Sequence, residues 1–105
     1  MISVSLATIT TSPENVLVLP GEDAVLNCST TDTAANPIGW RYDGDLVVTS
    51  PCTPHSESYN TTAPNPATDC NLIALAGTGR EISGPYLCSD KSKPRAAATV
   101  ISLSK

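Results

Sequence analysis

Proline and glycine interrupt this chain so often that a long helix has nowhere to form. Nine prolines and six glycines are scattered through 105 residues, and the runs between them are short and rich in Val, Ile, Leu and Thr. Proline breaks a helix interior, while β-branched side chains suit a pleated surface. The texture is that of an all-β domain with frequent turns.

The alternation within the runs predicts the strands. Ile2 to Thr10 reads as the first, Pro13 breaks it, and Val16 to Leu19 resumes before a turn at Pro20-Gly21. Asp23 to Ser29 follows, with Ala24, Leu26 and Cys28 on one face and Val25 and Asn27 on the other, because side chains alternate with a period of two. Ser29 to Pro37 is read as a loop. Ile38, Trp40 and Tyr42 share one face of the next strand. Asp43-Gly44 then signals a hairpin, since glycine accepts a positive φ, and Asp45 to Thr49 returns. From Ser50 to Asp69 prolines at 51, 54, 64 and 66 make a long ladder unfavourable, so that stretch is expected to be a loop or a frayed edge. Asn71 to Ala76, Pro85 to Ser89 and Ala96 to Ser104 are the remaining strands, with a turn from Gly77 to Ser83.

Residues 1–105 are expected to form a single domain with one core. That core is short of large anchors: there is no Phe, one Trp and three Tyr. Cross-links would compensate, and four cysteines are present. They allow three pairings. They stand 24, 18 and 18 residues apart, without a Cys-x-x-Cys, and one histidine cannot complete a zinc site of ordinary composition, so disulfides are favoured over metal. Disulfides in a small domain imply a secreted or cell-surface setting. A formal charge of −4 argues against nucleic acid as a partner, and nothing in the pattern calls for a cofactor. No apolar run is long enough to span a bilayer. Ile2 to Ala7 lacks the basic start of a signal peptide, so Met1 reads as an expression start ahead of a segment from a longer protein, with membrane attachment only through a part outside these residues.

Three motifs occur in order: Gly21-x-x-Ala24-x-Leu26-x-Cys28, Ile38-x-Trp40-x-x-Asp43-Gly44 and Gly84-x-Tyr86-x-Cys88. Together they resemble the immunoglobulin superfamily, from about Val16 to Leu103. The resemblance implies a two-sheet antiparallel β-sandwich with Cys28 on strand B, Trp40 on strand C and Cys88 on strand F. It selects the inter-sheet disulfide Cys28–Cys88, with Trp40 packed on it, and leaves Cys52–Cys70 as an extra loop disulfide. Tyr86 matches the tyrosine corner of that family. Two departures stand out. Ile82 occupies the place of an Asp that many members pair with an Arg, and no Gly-x-Gly follows Cys88, which argues against a rearranged antigen receptor. The long interval between Trp40 and Leu72 leaves room for strands C′ and D, and favours a V-like or I-like domain, with the V-like form preferred.

Several residues suggest chemistry or contact. His55 beside Ser56 and Ser58 raises hydrolysis, but triads are built from separated segments, and an exposed loop is the simpler reading. Gly77-Thr78-Gly79 lacks the Lys-Ser/Thr of a phosphate loop and reads as a turn. No enzyme is expected. Asn60-Thr61-Thr62 and Asn27-Cys28-Ser29 are acceptor patterns for N-glycans, the former favoured because it is expected in an exposed loop and the latter disfavoured because it lies mid-strand beside a core cysteine. Lys91, Lys93 and Arg95 put half of the basic residues between strands F and G, at the tip where variable domains meet ligands; a solvated loop is the plain alternative. With Arg41, Asp43 and Asp45 they form a candidate interface on the G-F-C-C′ face. The expectation is an extracellular recognition or adhesion domain that binds another immunoglobulin-like domain, or itself. A structural spacer is the rival, and a secreted immune molecule binding a non-self ligand, with Tyr59 as an exposed aromatic, is a third.

Overall fold

The computed structural model describes residues 9–34, 37–76, 82–89 and 95–102. Eleven strands are found there: β1 (Ile9–Thr11), β2 (Val16–Val18), β3 (Ala24–Leu26), β4 (Ser29–Thr30), β5 (Gly39–Tyr42), β6 (Asp45–Thr49), β7 (Thr53–Pro54), β8 (Tyr59–Thr62), β9 (Asn71–Ala74), β10 (Gly84–Ser89) and β11 (Arg95–Ser102). A six-stranded sheet runs β2-β11-β10-β5-β6-β7 and a three-stranded sheet runs β3-β9-β8, with a short β1-β4 ribbon. Every pairing is antiparallel except β11 with β2, which is parallel. This is the expected immunoglobulin-like sandwich, with β3, β5, β10 and β11 as strands B, C, F and G. β6 is C′, and the two-residue β7 outside it takes the place of the C″ strand that variable-type domains add to this sheet.

The core follows from alternation. Ala24, Leu26, Leu72 and Ala74 project inward from the three-stranded sheet, and Trp40, Tyr86, Cys88, Ala98 and Val100 from the other, all buried. A bulge where Trp40 faces Val48 and Arg41 faces Leu46 turns two consecutive valines, Val47 and Val48, into the interior. Asp43 (φ 50°) and Gly44 (φ 93°) make the β5–β6 turn, both left-handed as a two-residue hairpin of this twist requires.

Two readings of the sequence need correction. Ser29 and Thr30 do not open a loop; they pair with β1 as β4, and Thr30 is fully buried. Within Ser50–Asp69, expected to be a loop or frayed edge, β8 is a full strand that pairs with β9 from Tyr59↔Ala74 to Thr62↔Asn71. The prolines flank β8 without entering it, so none removes a donor from the β8–β9 ladder, and Pro54 lies in β7 at the edge of the other sheet. The first strand is described only from Ile9, and the Gly77 to Ser83 turn lies outside the described residues up to position 81.

Candidate functional site

The cross-links come first because they hold the surfaces in place. Cys28 and Cys88 join the two sheets with a Cα separation of 6.5 Å, both fully buried, and Trp40 stands opposite Cys88 in the ladder. Tyr86 is buried and its hydroxyl donates to the Ile82 carbonyl at 2.9 Å. Ile82 itself points into the core, so the position that would carry a base-of-sandwich ion pair contributes apolar burial. The Tyr42 ring lies 4.7 Å from that of Tyr86 and its hydroxyl donates to the Ser83 carbonyl. A side chain at Gly84 (φ 137°) would stand 3.0 Å from the Tyr42 ring, which explains glycine there.

Cys52 and Cys70, the expected loop pair, are bonded with a Cα separation of 5.7 Å. Only one end is peripheral. Cys52 sits in the β6–β7 turn of the six-stranded sheet, whereas Cys70 is buried just before β9 of the other. The Cys70 amide donates to the Cys28 carbonyl at 3.0 Å, and its carbonyl accepts the Trp40 indole N–H at 2.9 Å. The second bond is therefore also a bridge between sheets, anchored on the tryptophan that stands opposite Cys88 of the first. Asp69, one residue earlier, accepts from the hydroxyls of Ser29 and Thr68 at 2.8 Å each, and from the Asn65 amide at 3.1 Å. The Ser29 bond chiefly, then that of Thr68, holds its carboxyl below the ordinary value, while desolvation opposes them. Beside this bridge a cavity of about 330 Å³ opens between Pro37, Ile38, Pro51, Ala63 and Pro66.

The outer face of the six-stranded sheet carries the candidate interface. Register aligns Ala97, Leu87, Arg41 and Leu46 in one row across β11, β10, β5 and β6. Arg41 is the only charge in that row; it is exposed and donates to the Gly44 carbonyl at 3.1 Å. A second row pairs Leu17 of β2 with Ile101 of β11, exposed by 63% and 51%, and Leu19 extends it at 56%. The sequence reading missed these three, although alternation was a signal for them: Ala97, Thr99 and Ile101 against Ala98 and Val100, and Leu17 and Leu19 against Val18. Asp43 and Asp45 are exposed at the β5–β6 end of the face, and Arg95 begins β11 at the opposite end, across from Ser89. Lys91 and Lys93 lie outside the described residues.

The opposite outer surface, on the three-stranded sheet, is different in kind. Val25, Ile73 and Asn60 form one row across β3, β9 and β8, and Val25 is 50% exposed. Asn60 thus stands on a strand and not in the loop expected for it, yet its side chain is exposed. Asn27 is exposed as well, projecting away from its buried neighbour Cys28. His55 and Ser56 are exposed between β7 and β8, and the Ser56 hydroxyl accepts from the Ser58 amide at 3.2 Å. Tyr59, considered as an exposed aromatic, is buried in the core. Gly77-Thr78-Gly79 lies outside the described residues.

No protein-family model matches the sequence and no curated protein matches it. The fold does match solved structures. The N-terminal Ig1-2 module of the Drosophila receptor protein tyrosine phosphatase DLAR aligns with a TM-score of 0.75 at 20% identity, over 92% of this chain and 48% of that one. A titin M10–obscurin-like 1 Ig complex aligns at 0.68 and 22% identity over 92% and 93%. A chimeric titin Z1Z2 tandem aligns at 0.72 and 18% over 92% and 49%. The chain thus spans about half the length of the DLAR module and of the titin tandem. At these identities the likeness is one of fold, and the fold is that of immunoglobulin domains.

Proposed function

We propose that this immunoglobulin-fold domain is an extracellular protein-recognition module, the adhesive part of a cell-surface receptor, and that it binds through the outer face of its six-stranded sheet. The observation that carries the reading is the character of that face. It presents the row Ala97, Leu87, Arg41 and Leu46, and beyond Thr99 and Pro85 the pair Ile101 and Leu17, largely apolar with one arginine, and no segment of the described chain covers it. Interface cores are depleted in charge and enriched in Arg, and contiguous exposed apolar patches mark contact sites. Two disulfides suit an oxidising compartment. The titin M10–obscurin-like 1 structure is a complex of Ig domains, a precedent for partners of this kind.

The specific form of the proposal is homophilic. Acidic Asp43 and Asp45 stand at one end of the face, while the sequence puts Lys91, Lys93 and Arg95 at the junction of β10 and β11, the other end. Two copies meeting face to face with antiparallel strands bring the basic end of each toward the acidic end of the other, a two-fold arrangement. Rim pairs contribute about 0 to 1 kcal/mol each, so the apolar rows supply most of the affinity and the dimer is weak. Sedimentation over a wide concentration range tests this. The wild-type domain should dimerise, Leu46→Asp with Ile101→Asp should abolish dimerisation, and Lys91→Glu with Lys93→Glu should weaken it until paired with Asp43→Lys and Asp45→Lys. A domain that stays monomeric at millimolar concentration excludes the homophilic form. The alternative is a structural spacer in a multi-domain chain, favoured by the tandem nature of the DLAR and titin neighbours; a spacer would lose no interaction when this face is altered. A secreted domain that binds a non-self ligand has lost its aromatic, because Tyr59 is in the core.

A further inference from the structure

We propose that the outer surface of the three-stranded sheet is a glycan-bearing face, with N-linked oligosaccharide on both Asn27 and Asn60, and that the two glycans together cover Val25 and Ile73. This rests on the extracellular reading above and adds to it a reason for partners to meet the opposite sheet.

Both acceptor patterns fall on one surface, although they lie on different strands. Asn60 shares a row with Ile73 and Val25. Asn27 follows two residues after Val25 on the same side of its chain, one row further along. Two strand spacings and one two-residue step separate the asparagines by about 12 Å, with the partly buried Ile73 on the strand between them and the exposed Val25 two residues from Asn27. A folded domain must supply room for a bulky solvated group at the modified nitrogen. At Asn60 the Oδ1 accepts from the Thr61 amide at 2.9 Å, and among the described residues its Nδ2 has no partner. The Asn27 side chain likewise makes no hydrogen bond among the described residues. It borders a cavity of about 270 Å³ whose other walls include Thr11, Ser12, Glu14 and Asn15, hydroxyl, carboxylate and amide groups of the kind that hydrogen-bond a sugar.

The covered surface has a need that glycans meet. Val25 is half exposed with Ile73 next to it, so a small apolar patch faces water. β8 is the outer strand of its sheet, and an uncovered sheet edge is a template for unwanted pairing. An oligosaccharide on Asn60, in the middle of β8, obstructs both the patch and the edge. The six-stranded face carries neither acceptor, so it stays bare.

The test is expression of the full chain behind a secretory leader in eukaryotic cells, followed by intact-mass analysis. Two glycan increments are expected, each removed by Asn27→Gln or Asn60→Gln, and enzymatic release from the folded protein should convert positions 27 and 60 to aspartate. Carbene labelling of Val25 and Ile73 should rise severalfold once the glycans are released. A secreted, disulfide-bonded domain with unmodified mass overturns the proposal and leaves the recognition reading standing. A glycan at one position only overturns the two-site form, and unchanged labelling after release overturns the covering role. A domain that is retained in the cell with free thiols overturns the extracellular reading and this inference with it.

Discussion

The two disulfides close regions that are held by different forces. Cys28 and Cys88 are sixty positions apart and bracket most of the core, and both are fully buried, with Trp40 opposite Cys88 in the ladder. Cys52 and Cys70 are eighteen positions apart, and the segment between them has little to bury: Tyr59 is the large exception, and the remainder is held by turn hydrogen bonds such as those of Asp69 and Asn65. One region folds because burial drives it. The other is shaped by a cross-link and by polar contacts, and it borrows rigidity from the first through the backbone of Cys70.

The comparison breaks first at Trp40. Trp40→Ala should cost about 3 to 5 kcal/mol, the usual range for a buried large aromatic, and should loosen both regions because the side chain is buried in the core and its indole N–H holds the Cys70 carbonyl. Urea denaturation checks it, and an unchanged midpoint would mean that the two regions are not joined there. Removal of the second bond by Cys52→Ala with Cys70→Ala should cost less, up to about 3 kcal/mol for a loop of this length against about 4 for the first bond on the chain-entropy model. The damage should be local: limited proteolysis should cut within residues 52–70 while the melting transition remains cooperative. Equal loss from both deletions would erase the distinction. The smallest effect concerns acid. Asp69 is held below its ordinary value in the folded state, so its contribution is fully present above an unfolded aspartate value of ~3.9 and is lost as pH falls through the lower folded value. Asp69→Asn should flatten that part of the stability profile between about pH 5 and 2, and should leave the slope near pH 7 unchanged.

Most of the sandwich was legible because its signals are local. The alternation around Cys28, the Asp43-Gly44 turn and the Gly84-x-Tyr86-x-Cys88 run each fix a face or a bend from adjacent residues. Within Ser50 to Asp69 proline density argues against a long ladder, and the structure places a four-residue strand there, β8, which fits between the prolines and gains its partner from β9, outside a local window. Asn60 moved from loop to strand for the same reason, and Tyr59 moved from surface to core with it.

The sequence by itself determined the fold class, the inward set of each strong strand and, through the family resemblance, which cysteines meet. Those properties depend on the period of two along a strand and on motif spacing, both written in the order of residues. Only the tertiary structure decided that Cys70 reaches the core beside Trp40, that Leu17 and Ile101 lie side by side, and that Asn27 and Asn60 share a face. Each of these depends on the register between strands far apart in the chain, and register is set by how the two sheets close over one core.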